Sequence, residues 1–201
     1  MTGVILAGGL NRRMGGRLKA LLLIDGKPLI LRQIAEMALC CREVLVVTNT
    51  PEALSSLMAT VTDVEVRLIP DRFVQTGPLG GLHAACLEAS EPLFWVVGCD
   101  MPYLSAAAAR AMYELCTDEG CDAVIPVIDG RVHPLHGIYS RRVGIEADAL
   151  LAHKQYRLMG LLDRIEWQAA ESDFFMEKGI STQFVINLNT PEDYEDVLGF
   201  C

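Results

Sequence analysis

Hydrophobic positions in this chain fall into two alternating patterns, short continuous runs and stretches with helical spacing. Gly3-Val4-Ile5-Leu6-Ala7 is a continuous run with no polar face, the mark of a strand buried on both sides. Glu43 to Thr48 (EVLVVT) and Pro92 to Val97 repeat that pattern, whereas Val64 to Ile69 (VEVRLI) alternates and belongs nearer an edge. Between them, Leu29-Ile30, Ile34 and Met37-Ala38 repeat at helical spacing. Further helices are predicted from Pro51, from Gly77-Pro78 to about Ala89, and from the cap Ser105 to about Cys116. Lys19 to Ile24 is short and apolar, and Asp25-Gly26-Lys27-Pro28 is a turn.

The later part of the chain predicts a strand over Cys121 to Ile128, a hairpin turn at Asp129-Gly130, and a strand over Leu135 to Tyr139. Helices follow near Val143–Ala152 and Arg157–Leu162, then a short strand over Phe184 to Ile186 and a helix from Pro191 to Leu198. Repeated strand–helix units with buried strands imply a three-layer α/β/α fold around a mostly parallel, Rossmann-like sheet, with an antiparallel component late in the chain. No linker or repeat divides residues 1–201, which are read as one domain. Ligands of such sheets bind at the carboxyl ends of the strands. Gly8, Asn49, Asp71, Gly77–Gly81 and Asp100 all follow predicted strands and are therefore expected on one rim.

The loop after the first strand, Leu6 to Lys19, holds Gly8, Gly9, Gly15 and Gly16 together with Arg12, Arg13, Arg17 and Lys19. Glycines bare the backbone N–H groups and let a ligand approach closely, and the cations favour an anion, so the loop describes a polyphosphate cradle. It matches neither common phosphate loop. Arg17 follows Gly16 where a P-loop has Lys, and Gly8-Gly9 with Gly15 does not fit G-x-G-x-x-G. Arg12 and Arg17 read equally well as solvated surface charges.

Composition narrows the partners. The formal net charge of −9 over 201 residues argues against nucleic acid, and one basic loop on an acidic protein suits a small anion. No apolar run reaches the ~20 residues of a membrane span, and the first strand follows Met1-Thr2 without room for a secretory signal. Seven scattered cysteines with no C-x-x-C pair fit reduced thiols and a cytoplasmic protein.

Asp100, after the run Leu93-Phe94-Trp95-Val96-Val97, is placed to hold Mg²⁺ against phosphates; its alternative role is a helix cap, for which Ser105 is better positioned. Lys19 suits electrostatic compensation of charge on leaving phosphate oxygens, with Arg13 beside it. Asn49 can donate and accept at a nucleobase edge, and Asp71 can accept from a base N–H or a ribose hydroxyl, but either is also an ordinary turn residue. Gly77-Pro78-Leu79-Gly80-Gly81 opens a helix N-terminus fit for an anion, or simply packs closely. His133 and His136 are expected on opposite sides of a short strand, too few for a zinc site. Thr190 before Pro191-Glu192-Asp193 is a helix start, a role that leaves Asn187 and Asn189 unexplained.

The loop L-A-G-G-x-x-x-R-M-G-x-x-K, the G-P-L-G-G turn, Cys99-Asp100-Met101-Pro102 and Asn187-Leu188-Asn189-Thr190-Pro191-Glu192-Asp193 occur in an order that resembles the MobA family of molybdenum cofactor guanylyltransferases, within the GT-A-like nucleotidyltransferases. The resemblance runs from Leu6 to Asp193 and departs at Leu18, where many members carry Asp. It implies transfer of GMP from GTP to the phosphate of molybdopterin, with Mg²⁺ as cofactor and pyrophosphate as product. It also implies proteins that deliver or accept the cofactor. Carried over residue by residue, it implies Lys19, Arg13 and Asp100 as catalytic, with Asp100 on the metal. Leu6, Ala7, Gly8, Gly9, Gly15, Lys19, Asn49, Asp71, Gly77 and Asp100 would contact nucleotide. Gly80, Gly81, His133, Asn187 and Asn189 would face the acceptor. Two other readings stand beside it: a related transferase using CTP or another phosphorylated acceptor, and a non-catalytic nucleotide-binding chaperone for cofactor delivery.

Overall fold

A computed structural model of the chain describes residues 1–8, 18–73 and 76–199. The elements run β1 (Thr2–Leu6), β2 (Leu23–Ile24), β3 (Lys27–Pro28), α1 (Leu29–Ala38), β4 (Glu43–Val47), α2 (Ser55–Met58), β5 (Glu65–Ile69), α3 (Pro78–Glu88) and β6 (Leu93–Gly98). They continue with α4 (Ala106–Glu119), β7 (Ala123–Ile128), β8 (Arg131–Val132), β9 (Gly137–Ser140), α5 (Gly144–Ala152), α6 (Leu158–Leu162), β10 (Trp167–Glu171), α7 (Ser172–Met176) and α8 (Pro191–Gly199).

The main sheet has the order β10-β7-β9-β6-β1-β4-β5, with β8 paired to β7. Its pairs are parallel except around β9, which runs antiparallel between β6 and β7, and at the β7–β8 hairpin. Asp129 and Gly130 both have positive φ, the conformation a two-residue hairpin turn requires. The central strands β1 and β4 are buried at every position, which is why their sequences lack a polar face. Ile5, Val44, Val46, Trp95 and Val97 point to one layer, where Ile34 of α1 and Met112 of α4 cover them. Val4, Leu6, Leu45, Val47, Phe94 and Val96 point to the other, under Leu82 of α3 and Leu150 of α5. The two-residue period of the strands therefore builds two cores on one sheet, the three-layer arrangement expected.

One expected strand does not form. Phe184 to Ile186 is no strand: Thr182–Val185 forms a 3-10 turn, with Ser181 Oγ accepting from Gln183 N. Its one buried side chain, Phe184, is satisfied by stacking near Phe175 and His136 and needs no ladder. Conversely, β10 is absent from the sequence reading. Only Ala170 of WQAAE is buried, so neither alternation nor an apolar run marks it. It forms because β7, buried throughout, must pair its outer edge. Among the described residues no helix is long and apolar enough to cross a membrane.

Candidate active site

Four strands end in register. Leu6 is opposite Val47 and Gly98, and Val47 is opposite Ile69. The ladder then runs one residue further: Ala7 N donates to Val47 O at 2.9 Å, Thr48 N to Ile69 O at 2.9 Å, and Cys99 N to Leu6 O at 3.2 Å. Gly8, Asn49, Asp71 and Asp100 each lie two positions past these ends, so the parallel register itself delivers them to one rim.

At one end of this rim, Lys19 Nζ donates to Asp100 Oδ2 at 3.1 Å and to Asn189 Oδ1 at 3.4 Å. Three distant segments thus converge on one ammonium. Lys19 opens a 3-10 turn over Lys19–Leu21. The carboxylate sits two residues past the end of the apolar strand β6, and Leu188 N donates to Asp100 O at 2.8 Å, which brings the C-terminal segment alongside. The Lys19 and Asp100 side chains are 15% and 24% exposed, open enough to admit a ligand and enclosed enough to strengthen charge interactions. Among the described residues no donor meets Asp100 Oδ1, and a Cβ on Gly98 would lie 2.6 Å from it. A glycine there keeps that oxygen clear, a role that its place at a strand end does not announce.

Further along the rim, Asp71 N donates to Asn49 Oδ1 at 3.1 Å, and Asp71 Oδ1 accepts from Phe73 N at 2.9 Å. Partial burial pushes the Asp71 carboxyl above its ordinary value, against the opposing pull of the Phe73 N–H. Gly77 opens α3 with φ 67°, a conformation that favours glycine. Gly80 and Gly81 lie buried in α3: a Cβ on Gly80 would collide with Thr76 Oγ1 and stand 2.8 Å from Asp71 Oδ1, and one on Gly81 would meet Leu6 Cδ2 at 2.8 Å. They belong to the Asn49–Asp71 end of the rim.

Beyond Asn189 opens a cavity of about 510 Å³, a size typical of small-molecule sites. It brings together His133, Asn187 and Asn189, with Arg131 and Asp193 in addition; Gly80 and Gly81 do not line it. Burial and then the nearby Arg131 hold the His133 imidazole below its ordinary pKa, so it is neutral near pH 7. Asp193 accepts from the N–H groups of Asn189 and Thr190 at 2.7 and 2.8 Å, and those bonds lower its pKa. With Thr190 Oγ1 accepting from Asp193 N at 3.1 Å, this is a reciprocal helix cap that pins the Asn187–Asn189 segment. The sequence showed the cap; nothing in it showed that Arg131 and Asp193 face the same space.

His136 is a core residue. It lies between Trp95 and Phe184, with ring centroids 4.9 and 4.4 Å away, and its Nε2 accepts from Ser105 N at 3.2 Å. Burial lowers its pKa to about 3. Gly9, Arg13 and Gly15, with Arg12 and Arg17, lie outside the described residues.

A metal at this corner is a matter of donor chemistry. Among the described residues no three His, Cys, Asp or Glu side chains gather closely enough to hold an ion. Asp100 and the amide oxygen of Asn189 are hard oxygen donors, and together they suit Mg²⁺, which takes one or two carboxylates and completes its shell with substrate phosphate and water.

The comparisons with known proteins point to one family. A family model described as "MobA-like NTP transferase domain" matches residues 3–169. A "Probable molybdenum cofactor guanylyltransferase" of Geobacillus sp. (strain WCH70) is 30% identical over 98% of this chain and 98% of its own. One of the same name from Pelotomaculum thermopropionicum is 33% identical over 96% of this chain and 89% of its own. Among solved structures, the "Molybdopterin-guanine dinucleotide biosynthesis protein A" of Archaeoglobus fulgidus superposes with a TM-score of 0.84 at 23% identity, covering 100% of this chain and 98% of that one. The fold, the ordered motifs and these matches agree: the chain belongs to the MobA-like NTP transferase family.

Proposed function

We propose that this protein is a Mg²⁺-dependent molybdenum cofactor guanylyltransferase of the cytoplasm, which transfers GMP from GTP to the terminal phosphate of molybdopterin. The observation that carries this reading is the convergence of Lys19, Asp100 and Asn189 past the strand ends, a cation and two oxygen donors on one corner. Free thiols at every described cysteine are compatible with the compartment.

In this reading Leu6, Ala7 and Gly8, at the end of β1, lie beside the phosphates, together with Gly9, Arg13 and Gly15 of the loop. Asn49, Asp71 and Gly77 receive the base and ribose. The cavity beyond Asn189 receives the acceptor. There Arg131 meets its negative charge, while His133, Asn187 and Asp193 offer hydrogen bonds to a polar heterocycle. An oxygen of the acceptor phosphate forms a bond to the α-phosphorus of GTP as the bond from that phosphorus to the bridging oxygen breaks, and pyrophosphate leaves with the electron pair. No side-chain nucleophile is needed. Lys19 holds the charge that gathers on the leaving phosphate oxygens, and Asn189 keeps that ammonium turned toward the acceptor side. Asp100 and Asn189 are the donors for Mg²⁺, which when bound supplies Lewis-acid stabilisation at the phosphates.

The direct test is pyrophosphate release in Mg²⁺ with molybdopterin as acceptor. GTP is expected to support turnover with a kcat/KM at least ~10-fold above CTP, the scale of one discriminating hydrogen bond in a site. A preference for CTP overturns the guanylyl assignment. No release with either nucleotide overturns catalysis in favour of a nucleotide-binding chaperone.

Gly80→Ala probes the base end of the rim. In an open helix the change gains about 1 kcal/mol of helix propensity. Here the methyl must displace Thr76 Oγ1 and the Asp71 carboxylate, so the clash decides the outcome. The expected result in steady-state kinetics is a KM for GTP raised about 10-fold with kcat changed less than about twofold. An unchanged KM would remove Asp71 from the nucleotide site.

A further inference from the structure

We infer that Gln33, a buried residue of α1, is the positioning residue for Asp100, acting through the backbone turn that carries the carboxylate. Gln33 is 1% exposed, and its Nε2 donates to Gly98 O at 2.8 Å and to Met101 O at 2.9 Å. These carbonyls bracket Cys99-Asp100, and Met101 N also donates to Gly98 O at 3.3 Å, closing a turn with Asp100 inside it. Among the described residues the Gln33 side chain makes its hydrogen bonds to these two carbonyls and none to the Asp100 carboxylate. It sets the turn, and the turn aims the carboxylate.

Packing alone does not explain the residue. Among the described residues Gln33 Oε1 is buried without a hydrogen-bond partner, a cost that a leucine or methionine at this position would not carry. Two carbonyl acceptors on one side also fix which way the carboxamide faces, because the reversed amide would set oxygen against oxygen. Three residues on, Glu36 Oε1 accepts from Ala106 N at 2.8 Å, so the same helix face also anchors the start of α4 just after the turn. From the opposite side Leu188 N holds the Asp100 carbonyl. The turn is therefore fixed from within the core by α1 and from outside by the segment that carries Asn189. Such outer partners of a metal ligand typically matter 10- to 100-fold in metal affinity.

This inference rests on Asp100 as the metal ligand, and the experiment separates the two. The readout is metal coupling, the factor by which saturating Mn²⁺ tightens GTP binding relative to EDTA, measured by calorimetry at a temperature where each variant is folded. Gln33→Met keeps the length of the side chain and removes both donors. It is expected to reduce the coupling factor about 10-fold while leaving affinity in EDTA unchanged, and Asp100→Ala is expected to reduce the coupling further, to what Asn189 alone supports. Should Gln33→Met not fold, Gln33→Asn, which keeps a carboxamide too short to reach both carbonyls, carries the same expectation. Equal losses with and without Mn²⁺ would mark a merely structural role and overturn the inference. Wild-type coupling in Gln33→Met alongside a loss in Asp100→Ala overturns it too, with the metal assignment intact. Wild-type coupling in Asp100→Ala instead overturns the assignment of the metal ligand.

Discussion

Asp100→Ala is expected to lower Mg²⁺-dependent pyrophosphate release about 1,000-fold while shifting the melting temperature by no more than about 2–4 °C. The two halves of that expectation have different origins. A metal correctly held at a transferring phosphoryl group contributes several kcal/mol of transition-state stabilisation, and about 4 kcal/mol is a factor of about 1,000 in rate. Losing the carboxylate costs the fold little. Its ion pair with Lys19 is partly solvated, a class of interaction worth about 0–1 kcal/mol, which in a protein of this size moves the melting temperature by only a few degrees. The backbone bond from Leu188 to the Asp100 carbonyl survives the substitution. Retained Mg²⁺-dependent turnover would remove Asp100 from the centre of the site, and a collapse in melting temperature would make its role structural.

Lys19→Ala is expected to reduce kcat about 100- to 1,000-fold while changing the KM for GTP only severalfold. Negative charge builds on the leaving pyrophosphate as its bond to the α-phosphorus breaks, so an ammonium held there interacts more strongly with the transition state than with bound GTP. Lys19 is bound on both sides, by Asp100 and Asn189, so its position is set before substrate arrives. Lys19→Arg restores charge but not shape, since a guanidinium fork is larger than the pocket of an ammonium, and partial recovery of kcat is the expected result. A loss confined to KM would show that Lys19 binds both states equally.

Much of the site was legible because parallel strands bury their sides and release their chemistry only at their ends. The apolar runs ending at Ala7, Thr48 and Val97 mark strands whose observed ends, Leu6, Val47 and Gly98, differ by one residue, and Gly8, Asn49 and Asp100 follow them. Their shared rim follows from the register of the pairs, which no local pattern encodes but parallel topology makes predictable. The pairing of Lys19 with Asn189, 170 positions apart, was suggested only by motif order. Gln33 was not legible at all. A polar residue within an amphipathic helix reads as a solvent-facing position until the carbonyls of Gly98 and Met101 are seen beneath it. β10 was hidden for the opposite reason: it exists to satisfy the edge of β7, and its own sequence carries almost no burial. Phe184 misled because one large buried aromatic in an extended stretch looks like strand, whereas its partners are aromatic rings and no second strand.

The most direct test of the site is a crystal structure with a non-hydrolysable GTP analogue and Mn²⁺, located by its anomalous scattering. A single peak is expected about 2.1 Å from the Asp100 carboxylate, as a hard octahedral cation requires, with Lys19 Nζ hydrogen-bonded to a phosphate oxygen and the base beside Asn49 and Asp71. A triphosphate bound elsewhere, or a metal peak with no contact to Asp100, would contradict it.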